Sequence, residues 1–344
     1  MVDGEAPGGA VATTPWYVRT MLGIAGLIGA LFLLGFVGAG FSFVMKSAAA
    51  ALFVGALLCA AATILYRVRP KGDFINQFGF AVSLAGQALV CFGLTQLLSP
   101  RIAVVALLIA LLEVALFLLI PNFLHRVWSA IAAVSALVIA LNIWGFYVFT
   151  QAMVLAALSW AWLNEFRFPG RGAQIRALGY GLTLYAINTL VTMGWGMLGY
   201  AWLYRDRTSA FGGAIPWIGP ALIGAITIWV VWKLLKRQGI AFTEGPGRAA
   251  LGGAVLVALI SIKAPGIGVT VVILLLGYAN GNRVLTGLGI LSLLAYWSYY
   301  YYLLHITLLQ KSALLFCAGV ALVAARLAMQ RRWPIGEGAV KHHA

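Results

Sequence analysis

The sequence predicts an all-α fold: a polytopic transmembrane bundle of about twelve spans, with both termini on the cytoplasmic side. Three observations predict it. Hydrophobic residues make up 63% of the chain and charged residues only 9%, against about 25% charged in soluble domains. Apolar runs long enough to cross a bilayer recur along the whole length. The basic residues sit between those runs, not inside them. Short alternating segments of a barrel are absent. Backbone groups in lipid must satisfy their own hydrogen bonds, which leaves the helix.

Residues 1–14 read as a disordered tail rich in Gly, Ala and Thr. Residues 15–330 form one transmembrane domain, and 331–344 a basic C-terminal tail. Pro15, Trp16, Tyr17 and Arg19 suit an interfacial anchor. The first span covers 21–44, with Gly23, Gly26 and Gly29 on one smooth face; it is too long for a cleavable signal peptide. The second covers 47–66, where Ser47, Ala51, Gly55, Cys59 and Thr63 recur every fourth residue as a packing seam. The third, 74–97, carries Ser83, Gln87, Cys91 and Thr95 as a polar stripe. The fourth, 102–120, holds Glu113 and ends at Pro121, with His125 and Arg126 in the loop after it.

Residues 127–163 contain no charge and are too long for one crossing, so they divide into two spans near Gly145. A basic loop with Pro169 and Gly170 precedes the seventh span, 177–203, which holds Asn188, Thr189 and Thr192. The eighth is 215–235. The next two, 249–262 and 267–280, are short and broken at Lys263 to Gly266. At 1.5 Å per residue each reaches about 21 Å, against a hydrocarbon core of about 30 Å. They are either a tilted hairpin or a re-entrant pair, which would leave ten crossings. The last spans are 284–304 and 308–328. This topology places 17 of the 23 Lys and Arg residues on the side of the termini and six on the other, so the termini are expected in the cytoplasm.

The net charge of +15 then reflects loop placement, and nucleic acid is not expected as a partner. The three cysteines fall inside spans without CxxC spacing, so neither a disulfide framework nor a metal site is expected. Nucleotide-loop, HExxH and GxSxG signatures are absent, so the chain reads as a non-enzyme without cofactor.

Five residues are candidate binding positions. Glu113 is the only acid within a span. An acidic residue at a helix centre costs about 2.5–3.5 kcal/mol, and its apolar neighbours offset that easily. Two readings stay open for it: a functional carboxyl, or glue between helices. Its expected partners are neutral, Gln87 and Asn188 among them, either lining a midplane cavity or tying helices together. Lys263 lies at a helix break of the kind that marks transporter sites, or simply caps an outer hairpin. Lys311 follows the run Tyr299 to Tyr302 and either stacks on it or snorkels beside an aromatic belt.

The C-terminal stretch carries a family likeness. Gly281-Asn282-Arg283, the segment Leu285 to Leu291 with Gly287 and Gly289, the tyrosines before Leu303, Thr307-Leu308-Leu309 with Lys311-Ser312, and Gly319 with Arg326 carry it. Through these the chain resembles the bacterial membrane family known as domain of unknown function 4401. The resemblance implies an inner-membrane protein and a second multispanning protein as partner, and it supplies no catalytic residue. The leading expectation is therefore a non-enzymatic subunit of a membrane complex in the lipid bilayer. The alternative is a secondary, proton-coupled transporter using Glu113. An intramembrane enzyme on lipid-linked substrates ranks last, with only Asp206, His305 and Lys311 to serve it.

Overall fold

The computed structural model describes residues 48–68, 73–195, 217–241, 243–303 and 307–332, with scattered positions between 21 and 47. Every regular element among them is helical. The N-terminal tail, the C-terminal tail beyond Arg332, and the loop holding Asp206 lie outside the described residues; Arg331 and Arg332 end the last helix. Six described helices are long and apolar enough to cross a membrane.

The first hairpin is α1 (Ala48–Val68) with α2 (Asp73–Leu98). Its contact is backbone on backbone. A Cβ added at Gly55 would lie 2.8 Å from the Gly86 carbonyl oxygen. One added at Gly86 would meet Cys59 Sγ at 2.7 Å, and one at Gly93 would meet the Ala48 carbonyl at 2.9 Å. The expected small-residue seam is therefore used within the bundle: Ala51, Gly55 and Cys59 are buried there. Close approach maximises dispersion contact where lipid removes any hydrophobic drive between helices.

The second hairpin is α3 (Ile102–Leu119) with α4 (Phe123–Ile143). The expected loop at His125 and Arg126 is instead the first turn of α4. Asn122 caps that turn, its Oδ1 accepting from the His125 N–H at 3.0 Å. Arg126 Nε donates to the Phe117 carbonyl at 3.1 Å, holding the two helix ends together. Capping lets the helix begin right after Pro121 and draws His125 into the packed interior.

Gly145, at φ +88°, makes the expected turn into α5 (Tyr147–Leu163). A 3-10 turn, Pro169–Arg171, leads into α6 (Gly172–Trp195). Next come α7 (Ile218–Arg237), α8 (Gly245–Lys263), α9 (Pro265–Ala279), α10 (Arg283–Leu303) and α11 (Leu308–Arg332). Here α8 is longer than its sequence pattern shows: it starts at Gly245, runs 19 residues and qualifies as a span. Only α9 stays short, with 15 residues. It is apolar on every side and sits in the main core, with Val269, Val272, Ile273 and Leu276 fully buried against α5, α6 and α7. Surrounding protein covers most of it, with Tyr278 exposed at its end, so its length need not match the bilayer.

The residues of the family likeness turn out to be fasteners for this core. Gly281 takes φ +62° in the turn between α9 and α10. Asn282 Oδ1 accepts from the Leu285 N–H at 3.1 Å as the cap of α10, and its amide pairs with the Tyr180 hydroxyl of α6. Asn280 Nδ2 donates to the Trp162 carbonyl at 2.9 Å, while Arg237 Nη2 donates to the Leu163 carbonyl at 2.9 Å. Four chain segments distant in sequence are thereby held at one end of the bundle.

Candidate functional site

The richest polar cluster among the described residues lies between α1, α2, α3 and α4. Its members come from helices whose other faces are apolar, so each polar side chain is a local exception needing a partner. Gln87 and Ser83 stand one turn apart on α2. His125, Trp128 and Ser129 form the first turns of α4. Glu113 points inward from α3 and is 2% exposed, while Ser83, His125 and Ser129 are fully buried.

These groups form one connected chain. Trp128 Nε1 lies 3.1 Å from Gln87 Oε1, and Gln87 Nε2 lies 3.2 Å from Ser83 Oγ. Ser83 Oγ is 2.8 Å from His125 Nε2, and His125 Nδ1 is 3.4 Å from Ser129 Oγ. Ser129 in turn interacts electrostatically with the Glu113 carboxyl. The imidazole is clamped edge-on by Tyr66 and Phe80, with ring centroids 5.9 and 6.0 Å away. Tyr66 is itself anchored, its hydroxyl donating to the Asn76 carbonyl at 2.6 Å. Cys59 and Cys91 stand within electrostatic range of the carboxyl.

Hydrogen-bond chemistry gives this chain a direction. An indole N–H can only donate, so the Gln87 oxygen faces Trp128 and its NH₂ faces Ser83. Ser83 Oγ then accepts from Gln87. The Ser83 hydroxyl hydrogen has one acceptor among the described residues, His125 Nε2. That nitrogen is therefore bare, the imidazole proton sits on Nδ1, and Nδ1–H donates toward Ser129. The Ser129 hydroxyl hydrogen is then left for the Glu113 carboxyl, its electrostatic partner. From Trp128 to Ser129 every donor points the same way. One carboxyl oxygen, Glu113 Oε2, has no hydrogen-bond partner among the described residues.

The five sequence candidates separate here. Gln87 and Glu113 belong to one chain, joined through three residues that were not candidates: Ser83, His125 and Ser129. Asn188 is placed elsewhere. Its helix crosses α4 at Gly181, where an added Cβ would meet Ala130 and the Val127 carbonyl. Asn188 lies two turns beyond, about 10 Å further along the axis, and the next residue, Thr189, donates to Gln151 of α5 at 3.2 Å. Lys263 ends α8 with its Nζ 4.6 Å from the centroid of the Trp217 ring, a cation–π contact. The side chain of Lys311 and all of His305 lie outside the described residues.

Sequence spacing already set Ser83 beside Gln87 on the polar stripe of one helix face, though not as a candidate site. It could not have found His125, because a histidine just after a proline reads as a loop residue until the Asn122 cap is seen.

The model of one family, a domain of unknown function (DUF4401), matches residues 15–332. No curated protein and no solved structure matches the chain. With the match spanning nearly the full length, the chain belongs to the DUF4401 family.

Proposed function

We propose that this DUF4401 protein is a multi-pass protein of a bacterial inner membrane, with both termini cytoplasmic, in which Glu113 exchanges protons in the course of moving a solute. One observation carries the reading: a buried run of hydrogen bonds from Ser83 through His125 to Ser129 leads to the Glu113 carboxyl, with which Ser129 interacts and of which one oxygen is unpartnered among the described residues. Ionisable groups inside a membrane domain are costly and typically mark ion or proton pathways. Each link suits proton passage. A carboxyl binds and releases a proton, a hydroxyl relays one, and an imidazole moves one between its two nitrogens. Gln87 and Trp128 cannot relay; they terminate the chain and set its direction.

Infrared difference spectroscopy of the full chain in lipid, recorded across a pH step, tests this. The wild type should show a carboxyl C=O band that rises and falls with pH, and Glu113→Gln should erase it while inserting normally. Coupled transport further requires solute uptake into vesicles that collapses with an uncoupler and in Glu113→Gln. An unchanged spectrum in the variant would end the proposal.

A second reading, a subunit beside another multispanning protein, is favoured by α8. Its face with Val255, Leu256 and Leu259 is exposed, and Gly252 and Gly253 have open space where a Cβ would stand. Such a face admits close approach of another helix. Purification from native membranes in mild detergent should then bring down a stoichiometric membrane partner, and Gly252→Leu should release it. A lone protein in that preparation would leave the transporter reading by itself.

A further inference from the structure

A cleft of about 240 Å³ opens at the end of the bundle where α3 and α5 finish and α6 begins. Phe117, Trp160, Phe168, Ile175 and Leu178 make apolar walls, and Arg171 and Gln174 are its polar members. Its volume corresponds to roughly eight water-sized groups at about 30 Å³ each, enough for part of one acyl chain. Trp160 and Phe168 are exposed at its mouth. Aromatic rings and basic residues at one level of a membrane helix bundle mark the headgroup zone.

The charges around the cleft leave Arg171 available. The nearest acid in the chain, Glu165, is engaged by Arg176 at 2.7 Å. Among the described residues, Arg171 has no carboxylate within ion-pair distance. The first turn of α6 starts directly after it, and an added Cβ at Gly172 would find only the Glu165 carbonyl, 3.8 Å away. The positive end of the α6 dipole and the guanidinium therefore lie at the same end of the cleft. Apolar walls with a cationic lip match an amphiphile with a negative head.

We propose that this cleft binds an anionic phospholipid, its phosphodiester on Arg171 and one acyl chain along Phe117, Trp160 and Leu178. None of the residues lining the cleft belongs to the Glu113 chain, and on α3 its wall residue Phe117 stands one turn beyond Glu113.

The test uses the full chain, delipidated in mild detergent, with phosphatidylglycerol or phosphatidylcholine added back. Native mass spectrometry should retain phosphatidylglycerol in preference to phosphatidylcholine, and the thermal midpoint should rise with the former. Arg171→Gln should weaken phosphatidylglycerol binding about five-fold, the loss expected of one basic contact at a membrane surface, and should leave the midpoint without lipid unchanged. Equal retention of both lipids, or full binding by Arg171→Gln, would overturn the proposal. A midpoint rise with inorganic phosphate alone, equal to that with phosphatidylglycerol, would also overturn it by showing a free-anion site.

Discussion

Replacing Trp128 with Phe removes the donor at the head of the polar chain and shortens the ring system while keeping an aromatic side chain. The ring that packs against Phe80, with centroids 6.3 Å apart at an interplanar angle of 87°, is largely kept. What goes is the N–H that donates to Gln87 Oε1 at 3.1 Å. Interhelical hydrogen bonds within membranes average about 0.6 kcal/mol and reach about 1.7. Trp128 is 39% exposed, which argues for the lower half of that range. The expected loss is about 0.5–1 kcal/mol of stability, together with the smaller packing loss of the indole.

The more telling effect is on direction. Without a donor-only group, the Gln87 amide is free to turn its oxygen toward Ser83, and the reason for a bare His125 Nε2 disappears. A bias of about 1 kcal/mol corresponds to roughly a five-fold tautomer ratio. Nitrogen NMR on labelled histidine reads this directly. The wild type should show His125 with its proton on Nδ1, and Trp128→Phe should show a mixture of tautomers. Finding the proton on Nε2 in the wild type would refute the assigned direction, and an unchanged tautomer in the variant would refute the role given to Trp128.

Three further outcomes follow from the geometry. Gly86→Ala should destabilise the α1–α2 hairpin by about 1–3 kcal/mol, because the new methyl meets Gly55 and Cys59 backbone atoms within 2.9 Å; a midpoint shift on thermal unfolding in detergent measures it. Asn282→Ala removes both the cap of α10 and the tie to Tyr180, at a cost of about 1–2 kcal/mol, and Tyr180→Phe should reproduce only part of that loss. Gly145→Ala, at φ +88°, should cost about 1 kcal/mol through backbone strain, leaving the hydrogen-bonded chain at Glu113 and its infrared band unaffected.

Much of this protein could be read without its structure, for a definite physical reason. Lipid penalises each exposed polar group, so hydropathy along the chain marks helix after helix, and Gly145 marks a turn because an uncharged run of that length cannot cross once. The α1 seam was legible in the same way, since small residues four apart have one use in a membrane helix. Glu113 and Gln87 stood out as polar exceptions.

Partnership was decided only by the tertiary structure. Local spacing places residues on a face but not against a particular neighbour, so Asn188 and Glu113 looked equivalent in depth, while α6 packs on α4 around Gly181, two turns away from Asn188. The role of His125 depended on one capping bond from Asn122, a choice made when α3 and α4 dock. Likewise, the core position of α9, too short for the bilayer yet with Val269, Val272, Ile273 and Leu276 fully buried, became apparent only when α5, α6 and α7 packed against it.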